Sequence, residues 1–240
     1  MRIAANAALF PNHLVTNDEI YARIRANTLD LSFSGLTAAI ARVERYLNEL
    51  GARHRHWLSG VEKPIDLIVQ AYEIALERAE MKPAAIDSLI YCAVDRPLLE
   101  PANAALLAAE LGLSRVRAFD VGHACNGWFT ALQIAGDRAD SHNEVSLILS
   151  AEFPMTTGGV AYPRNFDLSE PKQEKWKLAT FVLGEAASAT IVAPGGEPLR
   201  YQQRNDNLGY QASYVRLPMA ERFLAQKGAS FVAPELTFYS

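Results

Sequence analysis

The residue with the most chemistry in it stands at a boundary. In AFDVGHACNGWFTAL (118–132) an apolar run of strand character gives way to one of helical period, and Cys125 falls at the join. A thiol at the first turn of a helix lies beside unpaired backbone N–H groups and the positive end of the helix dipole. Both favour thiolate over thiol and lower the pKa from about 8.5 toward neutrality. The same N–H groups can hold a carbonyl oxygen on which negative charge develops. Cys125 is therefore a candidate nucleophile; the competing reading is a small hydrophobe packed at the start of a buried helix. Gly127, two residues on, lets a substrate or another backbone segment come close. Cys92, inside the apolar run SLIYCAV, reads as structural. Two cysteines are too few for a disulfide framework and lack the spacing of a zinc site, so both read as free thiols and no metal is expected.

Other groups could assist a thiol or bind an anion. His123 stands two residues before Cys125, a spacing at which side chains across a tight turn rarely face one another. It and Asn126 are candidates for substrate contact, the alternative for His123 being a solvent-facing or backbone-bonded turn residue. The segment GARHRHW gathers Arg53, His54, Arg55 and His56, which suit a phosphate but also read as a solvated basic loop. Glu100 precedes Pro101 at a helix start, where dipole and capping explain an acidic residue.

The elements that must position these groups alternate along the chain. RIAANAAL reads as a weak strand, and Thr16 with Glu19 three residues later fits a capping box. Residues 34–50 place Leu36, Ile40, Val43, Leu47 and Leu50 at helical spacing, closing at Gly51. A helix is predicted from Pro64 to Met81, a strand buried on both faces over Ile86–Val94, and an alanine-rich helix in EPANAALLAAELGL that closes at Gly112. VRAFDV is a strand and ACNGWFTALQIAGDRA a helix, while EVSLILSAEF and LATFVLGEAASATIV read as the last core strands. The polar stretch from Pro154 to Lys177, with Gly158 and Gly159, is expected to be a loop or excursion near the site. This order predicts an α/β fold with a mixed, mostly parallel sheet covered by helices.

Composition narrows the partners. With 240 residues, half of them hydrophobic, the chain can bury a sizeable core. A net charge of −4 offers no basic field for nucleic acid. No stretch reaches the roughly 18 apolar residues of a membrane span, and MRIAANAALFPNH has no leader pattern, so a cytoplasmic protein is expected.

FDVGHACNGWFTALQIAGD resembles the nucleophile segment of the thiolase superfamily, in particular of β-ketoacyl-ACP synthase III-like enzymes. There a strand ending in Phe-Asp precedes a small-residue turn, Ala-Cys, one residue, Gly, and a helix. GARHRHWLS resembles the family's Gly-Ile-Arg-x-Arg segment, and LATFVLGEAASATIV its Phe-Gly-Asp-Gly-Ala-Gly-Ala strand; ALFPNHLVTNDEI also fits. CAVDRPLLEPANAALLAAELGL resembles the thiolase-fold enzymes that condense two long-chain acyl-CoAs in olefin biosynthesis more than it does the fatty-acid initiation enzyme.

The resemblance implies that residues 1–240 are the N-terminal half of a thiolase-like layered fold, with excursions near 22–50 and 154–177. It implies that Cys125 takes an acyl group from acyl-CoA or an acyl carrier protein. Glu100 would reach across a homodimer to act as a base near the partner's cysteine, and Arg53 and Arg55 would lie near the coenzyme A entrance. No cofactor is implied, since the coenzyme A or phosphopantetheine thioester is the substrate. The family's catalytic histidine and asparagine lie in its second half, and nothing after about residue 220 resembles their motifs. A homodimer, or a heterodimer with a chain supplying that half, is therefore expected, because half a fold exposes an apolar face. A non-catalytic ketosynthase-like interaction subunit and a cysteine acyltransferase or thioesterase are the alternatives. Where relatives carry Asp-Gly in the late strand, this chain has Gly184-Glu185-Ala186, which alters any turn needing a positive φ at the second glycine.

Overall fold

In the computed structural model, described over residues 1–155, 163–170, 173–197, 201–202, 204, 214–215 and 238–239, the chain divides into two compact units. Unit 1 comprises Met1–His13, Leu58–Phe153 and Glu185–Gln202; unit 2 comprises Leu14–Trp57, Pro154–Gly184 and Gln203–Ser240. Much of the polar stretch after Pro154, Gly158 and Gly159 included, lies outside the described residues.

Unit 1 is built on a five-stranded sheet. Its strands are β1 (Arg2–Leu9), β4 (Ser88–Tyr91), β5 (Arg117–Asp120), β6 (Ser146–Glu152) and β7 (Ala186–Ala193), in the order β1-β7-β6-β4-β5. β4 runs parallel to both β5 and β6, whereas β7 is antiparallel to β6 and β1. Four strands thus point one way and β7 the other, a mixed, mostly parallel sheet. The register places Leu89 opposite Leu147 and Ile90 opposite Ile148.

Strand alternation sorts the core. Leu89, Tyr91, Leu147, Leu149, Ala189 and Ile191 share one buried cluster with Leu67, Ala71 and Ala75 of α3 (Pro64–Ala79) and Leu107 of α4 (Asn103–Glu110). Ile90, Cys92, Ile148 and Val192, one residue out of phase, pack with Ala131, Leu132, Ala135 and Ala139 of α5 (Gly127–His142). A strand buried on both faces must read as a continuous apolar run, which is why SLIYCAV does. α5 approaches closely because Gly127, Ala131, Ala135 and Ala139 form a stripe of small residues at i, i+4 spacing.

Unit 2 contains α1 (Asn17–Asn27), α2 (Phe33–Glu49) and a two-stranded ribbon of β2 (His13–Thr16) and β3 (His54–Trp57). α6 (Gln173–Trp176) and α7 (Leu178–Val182) follow. Thr16 caps α1, its hydroxyl accepting from the N–H of Glu19 at 3.4 Å, and Ser32 caps α2 by accepting from Gly35 at 3.2 Å. Val15, Ile20, Ile24, Val43, Leu47, Trp57, Phe166 and Phe181 form its core. Arg42 Nε donates to Glu174 at 2.6 Å, tying α2 to α6. The short strands β8 (Tyr214–Val215) and β9 (Phe238–Tyr239) pair antiparallel.

Three sequence expectations need correction. LATFVLGEAASATIV is not one strand: its first five residues form α7, because Leu178, Phe181 and Val182 fall at i, i+3 and i+4 and face the unit 2 core, and only Ala186 onward is strand. α3 stops at Ala79, where Glu80 turns left-handed at φ 54° and Met81 N–H closes back on Leu76 O. α5 begins at Gly127, three residues later than the apolar pattern suggests.

Candidate active site

The turn that carries Cys125 grows out of the sheet. β5 ends at Asp120, and the next N–H, of Val121, donates to Tyr91 O at 2.8 Å, the last link between this segment and β4. After Gly122 and His123 the backbone enters a 3₁₀ turn, Ala124–Asn126. Ala124 takes up φ 44°, in the left-handed region that L-residues avoid, so the chain reverses sharply just before Cys125. Asn126 N–H donates to His123 O at 3.0 Å, and Gly127 N–H to Ala124 O. The N–H of Cys125 itself takes part in neither bond. Cys125 is exposed and its thiol is free. The small-hydrophobe reading of this residue fails, because the 3₁₀ turn carries the side chain ahead of the buried stripe of α5.

Three residues of α5, Gly127, Trp128 and Thr130, fix the turn. A Cβ placed on Gly127 would lie 3.4 Å from Cys92 Cβ, so the close approach anticipated at this glycine is to β4's extension rather than to a substrate. Trp128 Nε1 donates to Thr190 Oγ1 on β7 at 3.2 Å. Thr130 Oγ1 lies 2.6 Å from His123 Nδ1 and donates to Asn126 O at 3.3 Å, and Asn126 Nδ2 sits 3.5 Å from the same ring nitrogen. His123 and Asn126 are thus held together by a helix residue one turn on, and His123 is half-buried. Cys92 is buried as expected, and burial pushes its thiol up to about 12.

Glu100 is exposed and follows the exposed Leu99 on the loop between β4 and α4, across a cis bond to Pro101. The helix-start account of this residue is corrected: Ala102 is the cap, α4 begins at Asn103, and the acidic group at its first turn is Asp120. Asn103, only 2% exposed, holds the loop by accepting from Leu98 N–H at 2.9 Å and donating to Leu98 O at 3.1 Å. Among the described residues Glu100 has no hydrogen bond or ion pair.

In unit 2 the basic segment separates into two kinds of residue. Arg53 and His54 are exposed. Arg55 is a correction: it is 4% exposed, its Nη1 donates to Asn17 Oδ1 at 2.9 Å, and Nε and Nη2 are buried without partners among the described residues. Burial lowers its pKa, and a guanidinium turned inward cannot meet a phosphate in solvent. Strand alternation is the cause, since Arg55 shares its inward face with buried Trp57 while His54 is exposed and His56 half-buried. Gly184 packs on this strand, with a notional Cβ 3.4 Å from Arg55 Cβ. Neither Gly184 nor Glu185 has a positive φ, and the Glu185 carboxylate, 2% exposed, accepts from the N–H of Leu58 at 2.5 Å.

Asp120, Thr130, Thr190 and the left-handed Ala124 are what sequence reasoning missed. Only the Phe-Asp pair at the end of β5 offered a signal. Among the described residues no group of three or more His, Cys, Asp and Glu side chains could hold a metal ion, and no helix is long and apolar enough to cross a membrane.

No family model matches the chain. It is 32% identical over 145 residues to a β-ketoacyl-acyl-carrier-protein synthase III of Aliarcobacter butzleri, covering 60% of this chain and 39% of that protein. It is 25% identical over 197 residues to the synthase III of Methylococcus capsulatus, covering 82% and 53%. Among solved structures, the priming β-ketosynthase of a polyketide biosynthetic pathway superposes with a TM-score of 0.68 at 23% identity, covering 92% of this chain and 59% of that one. A variant of OleA from Xanthomonas campestris superposes with a TM-score of 0.63 at 24% identity, covering 80% and 55%. The sheet order, the helix-bearing turn and these superpositions define a thiolase-like α/β fold. Over 60% of its length the chain is similar to a β-ketoacyl-ACP synthase III. It spans between 39% and 53% of the length of these two curated relatives.

Proposed function

We propose that this chain performs the acyl-accepting step of a thiolase-like condensing reaction. The Cys125 sulfur attacks the carbonyl carbon of an acyl thioester. The tetrahedral intermediate collapses with cleavage of the original C–S bond, and the coenzyme A or phosphopantetheine thiol leaves with the proton that Cys125 gave up. The N–H of Cys125 is the nearest unspent donor for the transient oxyanion. The single observation that carries this reading is the exposed, free Cys125 on a strained turn opening α5. It is supported by the likeness to synthase III proteins and by a cysteine-to-serine OleA variant described with bound lauric acid and lauroyl-CoA.

In the same reading Glu100 deprotonates the α-carbon of a second substrate across a homodimer, Arg53 meets the phosphates of the thioester carrier, and His123 and Asn126 line the acyl entrance. Carbon–carbon bond formation draws its remaining donors from a second polypeptide segment that completes the site. The test is chromatographic: with acyl-CoAs of graded length, the chain should release a burst of about one equivalent of free coenzyme A, and Cys125→Ser none. Equal release from both, or none at any length, transfers the reading to a non-catalytic interaction subunit.

A further inference from the structure

A second cluster of ionisable groups lies where β4 and β6 end. Glu152, the last residue of β6, accepts from the N–H of Val94 at 2.7 Å through Oε1 and from the N–H of Asp95 at 3.0 Å through Oε2. Asp95 reciprocates, its Oδ2 accepting from the N–H of Phe153 at 3.1 Å. Tyr91 donates its hydroxyl proton to Asp95 O at 2.7 Å, with Ala151 O at 3.1 Å. These bonds continue the joining of the two strands beyond the last ladder link, Cys92 N–H to Leu149 O at 2.9 Å. Burial raises the pKa of both carboxyls against the pull of these N–H groups, and the charge of Asp95 raises Glu152 further while Arg96 lowers it. Neutral groups could close a strand end more cheaply, so a pair of carboxylates calls for another role.

Arg96 supplies it. Its Nε donates to Ala93 O at 3.3 Å, and its Nη2 lies 2.9 Å from the point a Cβ on Gly122 would occupy. The guanidinium therefore lies beside Gly122 in the segment leading into Cys125, where a side chain at 122 would make it shift.

We propose that Asp95 and Glu152 are a positioning pair for Cys125, setting the 93–96 segment so that the Arg96 guanidinium braces the Gly122 backbone and, through it, the turn that bears the thiol. Its consequence for activity rests on the acyl-transfer reading; its structural content does not.

Hydrogen exchange by mass spectrometry on the full chain tests it, with Glu152→Gln, Asp95→Asn and Arg96→Ala. The two carboxamides put an NH₂ where an acceptor is needed and should speed exchange in both 93–102 and 121–126, whereas Arg96→Ala should do so in 121–126 alone, each by about tenfold with α3 unchanged. With lauroyl-CoA as the probe, Arg96→Ala should lower the maximal rate of Cys125 acylation about tenfold and leave the half-saturating concentration unaltered, the signature of a misplaced sulfur rather than weakened binding. Exchange in 121–126 that stays at the unaltered rate in Arg96→Ala overturns the proposal. If the unaltered chain takes no acyl group, the acyl-transfer reading falls and the exchange comparison still decides the positioning pair. A carboxamide variant that loses α3 protection has unfolded, and Arg96→Ala, altered on an exposed side chain, then carries the decision.

Discussion

The carboxylate of Asp120 closes the first turn of α4 although it belongs to β5. Oδ2 accepts from the N–H of Asn103 at 3.0 Å and from its Nδ2 at 2.9 Å, and Oδ1 from the N–H of Ala104 at 2.8 Å. One side chain thereby joins the strand that leads to Cys125 with the helix that follows Glu100. A capping carboxylate across elements does what a local N-cap does, and it also satisfies a buried amide.

Asp120→Ala should accordingly lower stability by about 1–3 kcal/mol, by removing the acceptor that the N–H groups of Asn103 and Ala104 share, and Asp120→Asn by less. Urea denaturation measures both. Equal midpoints for Asp120→Ala and the unaltered chain would show that the cap contributes nothing.

Ala124 sits in the left-handed region, which costs an L-residue roughly 1–2 kcal/mol. Glycine removes that cost but has more backbone entropy to lose, so Ala124→Gly should fall within about 1 kcal/mol of the unaltered chain. Ala124→Val, β-branched, should destabilise by more than about 1 kcal/mol, and thermal melting separates the two.

The pH dependence of Asp95 and Glu152 has an unusual sign. Both have folded pKa values above their ordinary range, burial being the main cause. Their contribution to stability is therefore complete below about pH 4 and is lost as pH rises through the raised values. Glu62 runs the other way, because the N–H of Ser59 holds its carboxylate below the usual range. As pH falls from 7 toward 4 the unaltered chain should gain in urea midpoint relative to Asp95→Asn. A difference that stays constant or shrinks would show that burial does not govern the pair.

The two thiols should separate cleanly. Cys92 is 3% exposed, with a pKa pushed up to about 12, whereas Cys125 is exposed. Iodoacetamide near pH 8 should modify Cys125 in the folded chain and reach Cys92 only in denaturant, as peptide mapping will report.

Much of unit 1 was legible in the residues themselves. The unbroken apolar run SLIYCAV requires a strand covered on both sides, and the change of period after Asp120 requires a strand-to-helix turn there. What stayed hidden depends on partners distant in sequence. Asp120 caps a helix 17 residues away, and nothing local distinguishes it from a surface carboxylate. Arg55 reads like its basic neighbours until strand alternation turns it inward. The pattern 178–182 is too short to tell helix from strand until the unit 2 core selects i, i+3, i+4. Glu152 and Asp95 carry no spacing signal, since their pairing arises only when β4 and β6 lie side by side.

Acyl transfer by this chain requires the sulfur of Cys125 to accept an acyl group, and mass spectrometry addresses it directly. After incubation with lauroyl-CoA, the intact chain should gain the mass of one lauroyl group, mapped to the peptide containing Cys125, protected there from later iodoacetamide and absent in Cys125→Ala. An unmodified mass across acyl chain lengths, with Cys125 still open to iodoacetamide, would contradict it.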